Sequence, residues 1–180
     1  MIIVLNSYFG ARRSGINVFY NYLRDAKGLG YSVGGKYIKG SALGDESFFE
    51  AYVNLQNNKA AEAVMAMNQL LKNLPLTKAL FNSNKQRVKD EILRKRFNRR
   101  NLLAQATEWR EVGYFKDPRA EYLREIDALT FKDFQQFVHE SIENRNYRVT
   151  IVGNRKNMDM DQLKKMGSFE EISIDQLFPY

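Results

Sequence analysis

Apolar residues recur at helical spacing over most of this chain, and each run with that spacing predicts a helix. The first run, 1–9, predicts a buried helix or strand. The second predicts a helix that Ser14 is placed to cap and that carries Arg24 at the edge of its apolar stripe. Farther along, the pattern predicts a helix over 59–73 and a long helix from Thr77 to about Leu103. The remaining predicted helices span 104–112, 119–129, 131–142 and 161–166.

Short aromatic and β-branched stretches interrupt the helical pattern, and such stretches are typical of strands. Residues 31–39 and 47–54 are separated by glycines and predict an antiparallel pair. Near the end of the chain, Tyr147 to Val152 alternates between apolar and polar residues and predicts a strand, and Phe169 to Ser173 predicts a last one. An antiparallel sheet packed against several helices is an α+β fold.

A glycine-broken turn joins the second predicted helix to the first predicted strand. Gly28 and Gly30 can take the left-handed and close-approach conformations that stop a helix and reverse the chain. The Arg24 side chain and the Tyr31 ring can then converge near one corner. A guanidinium and a phenol in that arrangement are able to hold a peptide backbone or a developing oxyanion.

Length and composition bound the class of protein. The chain has 180 residues, of which 44% are apolar and 13% aromatic, so it predicts one globular domain over 1–180. No run approaches the roughly 18 apolar residues of a membrane-spanning helix. There is no cysteine, which excludes disulfides and thiolate metal sites.

The net charge of +7 comes from one stretch, 78–101, which holds nine basic residues against two acids. In the simplest interpretation, these basic residues form the solvated face of the long helix. Clustered Lys and Arg along a helix are also typical of nucleic-acid binding. A third interpretation is a surface that favours acidic peptides or binds a partner domain. The sequence leaves these open.

Arg24 and Tyr31, seven residues apart with Gly28-Leu29-Gly30 between them, resemble the arginine-and-tyrosine segment of the insulinase, or pitrilysin, family of zinc metallopeptidases, which includes the mitochondrial processing peptidases. Four later motifs look like the second type of half-domain in that family: Trp109-x3-Gly113-Tyr114, Leu129-Thr130-x2-Asp133, Val149-x2-Val152-Gly153 and Asp175-x2-Phe178. The resemblance implies a C-terminal, non-zinc-binding half-domain of the insulinase and processing-peptidase type, whose first strands precede Met1 and are missing from this chain.

The catalytic signature of that family is His-x-x-Glu-His plus a distant Glu, which supplies two imidazoles and a carboxylate to zinc. This chain has one histidine, His139, followed directly by Glu140, so the signature is absent and we expect no metal ligands here. The resemblance implies that zinc is bound by a homologous domain, on the same polypeptide or on a partner subunit, and that this chain is inactive alone. It further implies that Arg24 holds the substrate backbone and that Tyr31 donates to the carbonyl oxygen as it becomes tetrahedral.

The resemblance therefore predicts the substrate-binding, non-zinc half of a zinc metalloendopeptidase that cleaves peptides or small proteins, with no nucleic acid among its partners and no membrane span. Two alternatives are a catalytically silent scaffold or interaction subunit of the same fold, and a basic nucleic-acid-binding module. Bacterial relatives of this kind are often exported, which favours the periplasm or the cell exterior, with the cytoplasm as the alternative.

Overall fold

The computed structural model describes residues 1–10, 17–40, 44–143 and 145–178, and the predicted cap at Ser14 lies outside them. The first half of the chain forms α1 (Ile2–Tyr8), a π-helix (Tyr20–Ala26), β1 (Ser32–Ile38), β2 (Phe48–Asn54), α2 (Ala60–Lys72) and α3 (Lys78–Arg94). The second half forms α4 (Leu102–Glu111), α5 (Arg119–Ala128), α6 (Phe131–Ser141), α7 (Met160–Lys164) and α8 (Ile174–Leu177). Short 3₁₀ turns lie at Asn57–Lys59, Arg99–Asn101 and Arg155–Asn157. The fold is α+β, which confirms the predicted class.

The predicted antiparallel pair is confirmed as β1 and β2. Ser32 lies opposite Asn54, and Ile38 lies opposite Phe48. The face of β2 that carries Phe49 and Val53 packs against the core, whereas Phe48 on the other face is 53% exposed. This alternation follows the period-2 pattern of a sheet covered on one side.

The core surrounds α1, whose Val4, Leu5 and Tyr8 side chains are fully buried beneath α3, α6 and the sheet. The Phe9 ring meets Phe49 of β2 at 5.6 Å, edge to face. Phe134 of α6 lies 5.1 Å from Tyr8 of α1 and 5.1 Å from Phe81 of α3, centroid to centroid. The Tyr8 hydroxyl accepts a hydrogen bond from the Thr77 backbone at 3.0 Å, which ties α1 to the start of α3. Burial raises the pKa of Tyr8 above its usual 10.0.

The predicted helices over 59–73, 119–129, 131–142 and 161–166 are confirmed by α2, α5, α6 and α7, and the first run of the chain is the helix α1. The long helix from Thr77 to about Leu103 is wrong, because the chain leaves the helix after Arg94. Lys95 has extended backbone with ψ 118°, and a 3₁₀ turn capped by Asn98 then leads into α4. The predicted long helix therefore ends at Arg94, and the separate helix predicted over 104–112 is confirmed by α4 (Leu102–Glu111).

The packing of Phe97 explains this break. Its ring meets Trp109 of α4 edge-on, with 5.4 Å between the centroids. The Arg119 guanidinium at the start of α5 lies 4.6 Å from the centre of the same ring. Both partners come from later in the sequence, so the spacing of apolar residues around Phe97 carries no sign of them. Tertiary contacts override helix propensity here.

Some basic residues of 78–101 bind other elements instead of forming a solvated face. Arg87 donates from Nη2 to the Ser7 carbonyl of α1 at 2.9 Å. Lys85 donates from Nζ to the Asp127 carbonyl at 2.9 Å, and Lys89 pairs with the Asp127 carboxylate at 2.5 Å. These bonds join α3 to α1 and α5. The cations between 94 and 100 are exposed, as is Lys78 at the start of α3.

The predicted strands over Tyr147 to Val152 and Phe169 to Ser173 are wrong, since in the described chain the sheet contains β1 and β2 and neither segment joins it. The stretch 146–152 forms one wall of a cavity whose other walls are β2 and α2. A strand needs a neighbour within hydrogen-bonding distance along its length, and the cavity separates this stretch from β2. The α8 helix after Ser173 was not predicted, although Ser173 and Gln176 form a capping box.

No helix in the described ranges combines the length and the apolar character that crossing a bilayer requires.

A capping box begins α6 and makes its stability dependent on pH. Thr130 Oγ1 accepts from the Asp133 backbone at 3.2 Å and donates to Asp133 Oδ2 at 2.6 Å. The bond from Thr130 Oγ1, together with one from the Thr130 backbone amide to the same carboxylate oxygen at 3.0 Å, holds the pKa of Asp133 below its usual 3.8. A lowered carboxyl pKa stabilises the fold above the unfolded value, and that contribution is lost as the pH falls through the folded value.

We expect Thr130→Ala to lower the free energy of unfolding by about 1 kcal/mol at pH 7 and by less at pH 3. Urea unfolding at the two pH values measures both differences. Thr107→Ala is the matched control, because the Thr107 hydroxyl donates to the Leu103 carbonyl inside α4 and touches no acid. A Thr130→Ala cost that is equal at both pH values contradicts the assigned coupling to Asp133.

Candidate functional site

The turn after the π-helix reverses the chain within a few residues. The Gly28 amide donates to the Arg24 carbonyl at 3.0 Å, and the Leu29 amide donates to the Leu23 carbonyl at 2.7 Å. Gly28 has φ 62° and Gly30 has φ 82°, both in the left-handed region that favours glycine. These bonds satisfy carbonyls at the end of the helix and send the chain towards β1.

Gly30 also lets the backbone pass close to β2. A Cβ atom there would lie 2.5 Å from Cγ2 of Val53 and 3.1 Å from the Asn54 carbonyl oxygen. The next residue, Tyr31, donates its amide to that same Asn54 oxygen at 2.8 Å. The close approach at Gly30 therefore fixes the backbone of Tyr31 against the end of the sheet.

The Arg24 side chain lies between two tyrosine rings. Its Cζ is 4.8 Å from the centroid of Tyr20 and 5.4 Å from that of Tyr31. Its Nη1 donates to the Tyr31 carbonyl at 3.3 Å. Within the described chain no carboxylate pairs with Arg24, so its charge is not neutralised and most of its N–H donors remain available. Cation–π contacts of this kind orient a guanidinium at little cost.

Tyr31 presents its ring to solvent. The residue is 82% exposed, and its hydroxyl makes no hydrogen bond to the described residues. A phenol is a good hydrogen-bond donor when no other group competes for its proton. The structure thus brings the predicted pair together: an arginine held in place and a tyrosine with a free hydroxyl form one corner, the Arg24–Tyr31 corner. The sequence also predicted the turn at Gly28 and Gly30, and it is there that the chain reverses.

A cavity of about 710 Å³ begins next to this corner. It runs along the edge of β2 between α2 and the stretch 146–152, and Asn54, the backbone partner of Tyr31, lines one end. Most of the lining is apolar, with Glu50 and Arg148 as its charged members. Sequence reasoning missed this cavity because it placed a strand at 147–152. An extended chain of a few residues fits a volume of this size.

Tyr147 forms part of the same wall. Its hydroxyl donates to the Ile142 carbonyl at 2.5 Å and its ring packs against Phe49. Burial raises the pKa of Tyr147 to about 12. This tyrosine therefore stays protonated at neutral pH and holds the wall against α6.

The described residues of this chain do not fit zinc. His139 is its only histidine, and the side chain of His139 is 70% exposed on α6. The Nδ1 atom of His139 lies 3.1 Å from Oε2 of Glu143, whose other oxygen accepts from the Leu74 backbone at 2.8 Å. Among the residues that the structure describes, no three His, Cys, Asp or Glu side chains are grouped to hold a metal ion.

Part of the chain matches a known protein family. Residues 2–88 match the family described as the Peptidase M16 inactive domain. The matched segment runs from α1 into α3 and contains the π-helix, the turn and both strands, so it includes Arg24 and Tyr31. No curated protein matches the chain. Residues 89–180 lie outside the family match.

Proposed function

Because residues 2–88 of this chain match the family of inactive M16 peptidase domains, we propose that the chain is the substrate-binding, non-zinc half of a zinc metalloendopeptidase. The match confirms the resemblance to the non-catalytic insulinase-like domain. An inactive domain of this family suggests a homologous catalytic partner. We assign the zinc and the water that it activates to that partner, since the described residues of this chain include no group of side chains that could hold the metal.

The Arg24–Tyr31 corner is the observation that carries the proposal. In it, a guanidinium with unused N–H groups stands beside a phenol with an unused O–H. Arg24 donates to a carbonyl of the bound peptide and fixes its register. Tyr31 donates to the carbonyl oxygen of the scissile bond, and this bond strengthens as the oxygen gains negative charge.

Orientation of these two donors supports a role in the transition state. The Arg24 guanidinium is held by two ring faces and by the Tyr31 carbonyl, and the Tyr31 backbone is fixed to β2 through Asn54. Donors that are already positioned need little reorganisation when charge develops. The cavity along β2 gives the peptide on one side of the scissile bond a place to lie.

The test measures zinc content and peptide cleavage for this chain alone and for this chain together with the zinc-bearing M16 domain that accompanies it in its own protein or complex. We expect the chain alone to bind no stoichiometric zinc and to cleave nothing, and the combination to cleave peptides. Within the active combination, we expect Arg24→Ala to raise KM about tenfold, because a charge-assisted hydrogen bond to the substrate is lost.

Arg124→Ala is the matched control, since Arg124 is exposed on α5 and lies outside the corner. If the Arg24→Ala combination cleaves peptides with wild-type kinetics, Arg24 does not bind the substrate. A combination that binds zinc nowhere and cleaves nothing, yet stays associated, overturns the proposal and identifies the chain as a scaffold subunit of the same fold.

A further inference from the structure

The break between α3 and α4 exposes a dense group of cations next to leucines. Five of the seven residues from 94 to 100 are basic: Arg94, Lys95, Arg96, Arg99 and Arg100. All five are exposed. Leu93, Leu102 and Leu103 flank them and are 56%, 51% and 79% exposed. These eight residues are called the basic surface below, and they lie outside the segment that matches the family.

Packing around Phe97 holds the basic surface in one conformation. The Phe97 ring contacts Trp109 of α4 and the Arg119 guanidinium of α5. Arg119 also donates from Nη1 to the Lys95 carbonyl at 2.9 Å, which fixes the backbone in the middle of the cations. The basic surface is thus presented by three joined helices and is not a loose charged tail.

The charges of the basic surface are not neutralised from within. In the described ranges no carboxylate pairs with Arg94, Arg99 or Arg100, and Arg96 donates only to the Leu93 carbonyl, at 3.0 Å. The nearby acid Asp117 is already bonded to Arg119 through both carboxylate oxygens. Like charges this close repel one another, and a ligand with several negative charges relieves that repulsion.

The leucines distinguish one class of polyanion from another. A phosphate backbone neutralises cations but leaves exposed leucines in water, and stacking of bases needs an exposed aromatic face. Phe97, the aromatic residue between these cations in the sequence, is engaged by Lys95, Trp109 and Arg119. A protein segment that carries both carboxylates and apolar side chains can pair with the cations and also cover the leucines. Burial of a leucine side chain is favourable.

We propose that the basic surface docks an acidic, amphipathic segment of a partner protein, most simply a helix with Glu or Asp on one flank and Leu-type residues on the other. Its carboxylates pair with the cations from 94 to 100, and its apolar side chains cover Leu93, Leu102 and Leu103. This contact lies on α3 and α4, away from the turn that bears Arg24 and Tyr31, and it does not depend on peptidase activity.

The test is fluorescence anisotropy of the full chain with three labelled probes at two salt concentrations. The first is a helical peptide of about four turns with Glu and Leu at amphipathic spacing. The second replaces each Leu by Ser, and the third is a single-stranded DNA of similar charge. We expect the Glu–Leu peptide to bind about tenfold more tightly than either other probe, because it alone covers the leucines. Raising the salt concentration should weaken its binding.

Variants assign the binding to this surface. We expect the triple variant Arg96→Glu, Arg99→Glu, Arg100→Glu to lose the Glu–Leu peptide. The double variant Leu102→Ser, Leu103→Ser should bind the Glu–Leu peptide only as tightly as the wild-type chain binds the second probe, in which Ser replaces each Leu. The matched control reverses Lys39, Lys72 and Lys132, which are exposed on other parts of the fold, and it should keep the wild-type affinity. Circular dichroism shows whether each variant folds, and the leucine pair decides the result if the arginine triple does not.

Three outcomes overturn the proposal. Tighter binding of DNA than of the Glu–Leu peptide identifies a nucleic-acid surface instead. If the lysine control loses as much affinity as the arginine triple variant, binding depends on the net charge of the chain and not on this surface. Absence of binding by the Glu–Leu peptide at low salt removes the docking role altogether.

Discussion

Replacing Tyr31 by Phe is expected to lower the turnover of the assembled peptidase about a hundredfold and to change KM little. The substitution removes one oxygen atom and leaves the ring. Because the Tyr31 hydroxyl is exposed and makes no hydrogen bond to the described residues, the described part of the fold loses no hydrogen bond. The transition state, in contrast, loses a donor to the oxygen on which negative charge develops. A donor of this kind contributes to kcat more than to substrate binding.

Steady-state kinetics of the assembled enzyme measures this effect, with zinc content and thermal unfolding measured on the same samples. Tyr22→Phe is the matched control, because Tyr22 lies in the π-helix that carries Arg24 and its hydroxyl makes no hydrogen bond in the described ranges. A lower kcat with unchanged zinc content and unfolding assigns Tyr31 to the reacting carbonyl. A wild-type kcat in Tyr31→Phe would falsify that assignment. The corner would then contribute to substrate binding only, through Arg24.

The largest effect on stability is expected from Phe134→Ala in α6. Phe134 is fully buried, and its ring lies 5.1 Å from both Tyr8 and Phe81. Removing it deletes the ring contacts of Phe134 with Tyr8 and with Phe81, and it leaves a cavity that the surrounding helices fill only in part. Large-to-small substitutions of this kind lower the free energy of unfolding by about 3 to 5 kcal/mol.

Chemical denaturation of the isolated chain measures this loss. Phe115→Ala is the matched control, since Phe115 is 85% exposed in the connection before α5 and its removal should cost almost nothing. If Phe134→Ala does not fold, Phe134→Leu retains most of the buried volume and should lose less stability. Equal unfolding midpoints for the Phe134 and Phe115 variants would show that α6 does not cover the core in solution.

Local signals account for the parts of the fold that the sequence predicted. The helices α2, α5 and α6 follow from apolar spacing with capping or breaking residues at their ends, as with Thr130 at the start of α6. The antiparallel pair follows from aromatic and β-branched runs separated by glycines. The meeting of Arg24 with Tyr31 also has a local origin, because two left-handed glycines within three residues leave the chain few ways to continue.

The parts that the sequence did not predict depend on partners distant in the chain. Helix α3 stops at Arg94 because Phe97 packs against Trp109 and Arg119, and nothing in the residues around Phe97 specifies those contacts. The stretch 147–152 has the composition of a strand, but it has no neighbouring strand to pair with in the described chain. Because it does not pair with β2, a cavity lies between the two. Its position next to Tyr31 is therefore a finding that only the assembled fold provides.

The central position of α1 has a consequence for synthesis of the protein on the ribosome. Tyr8 of α1 is covered by Phe134 of α6, and 126 residues (134 minus 8) separate the two rings along the chain. At about 5 to 20 residues per second, α1 waits roughly 6 to 25 seconds in the nascent chain before its cover emerges. During that interval its apolar face is open to other chains. We therefore expect α1 to be the segment of the nascent protein that most needs a chaperone.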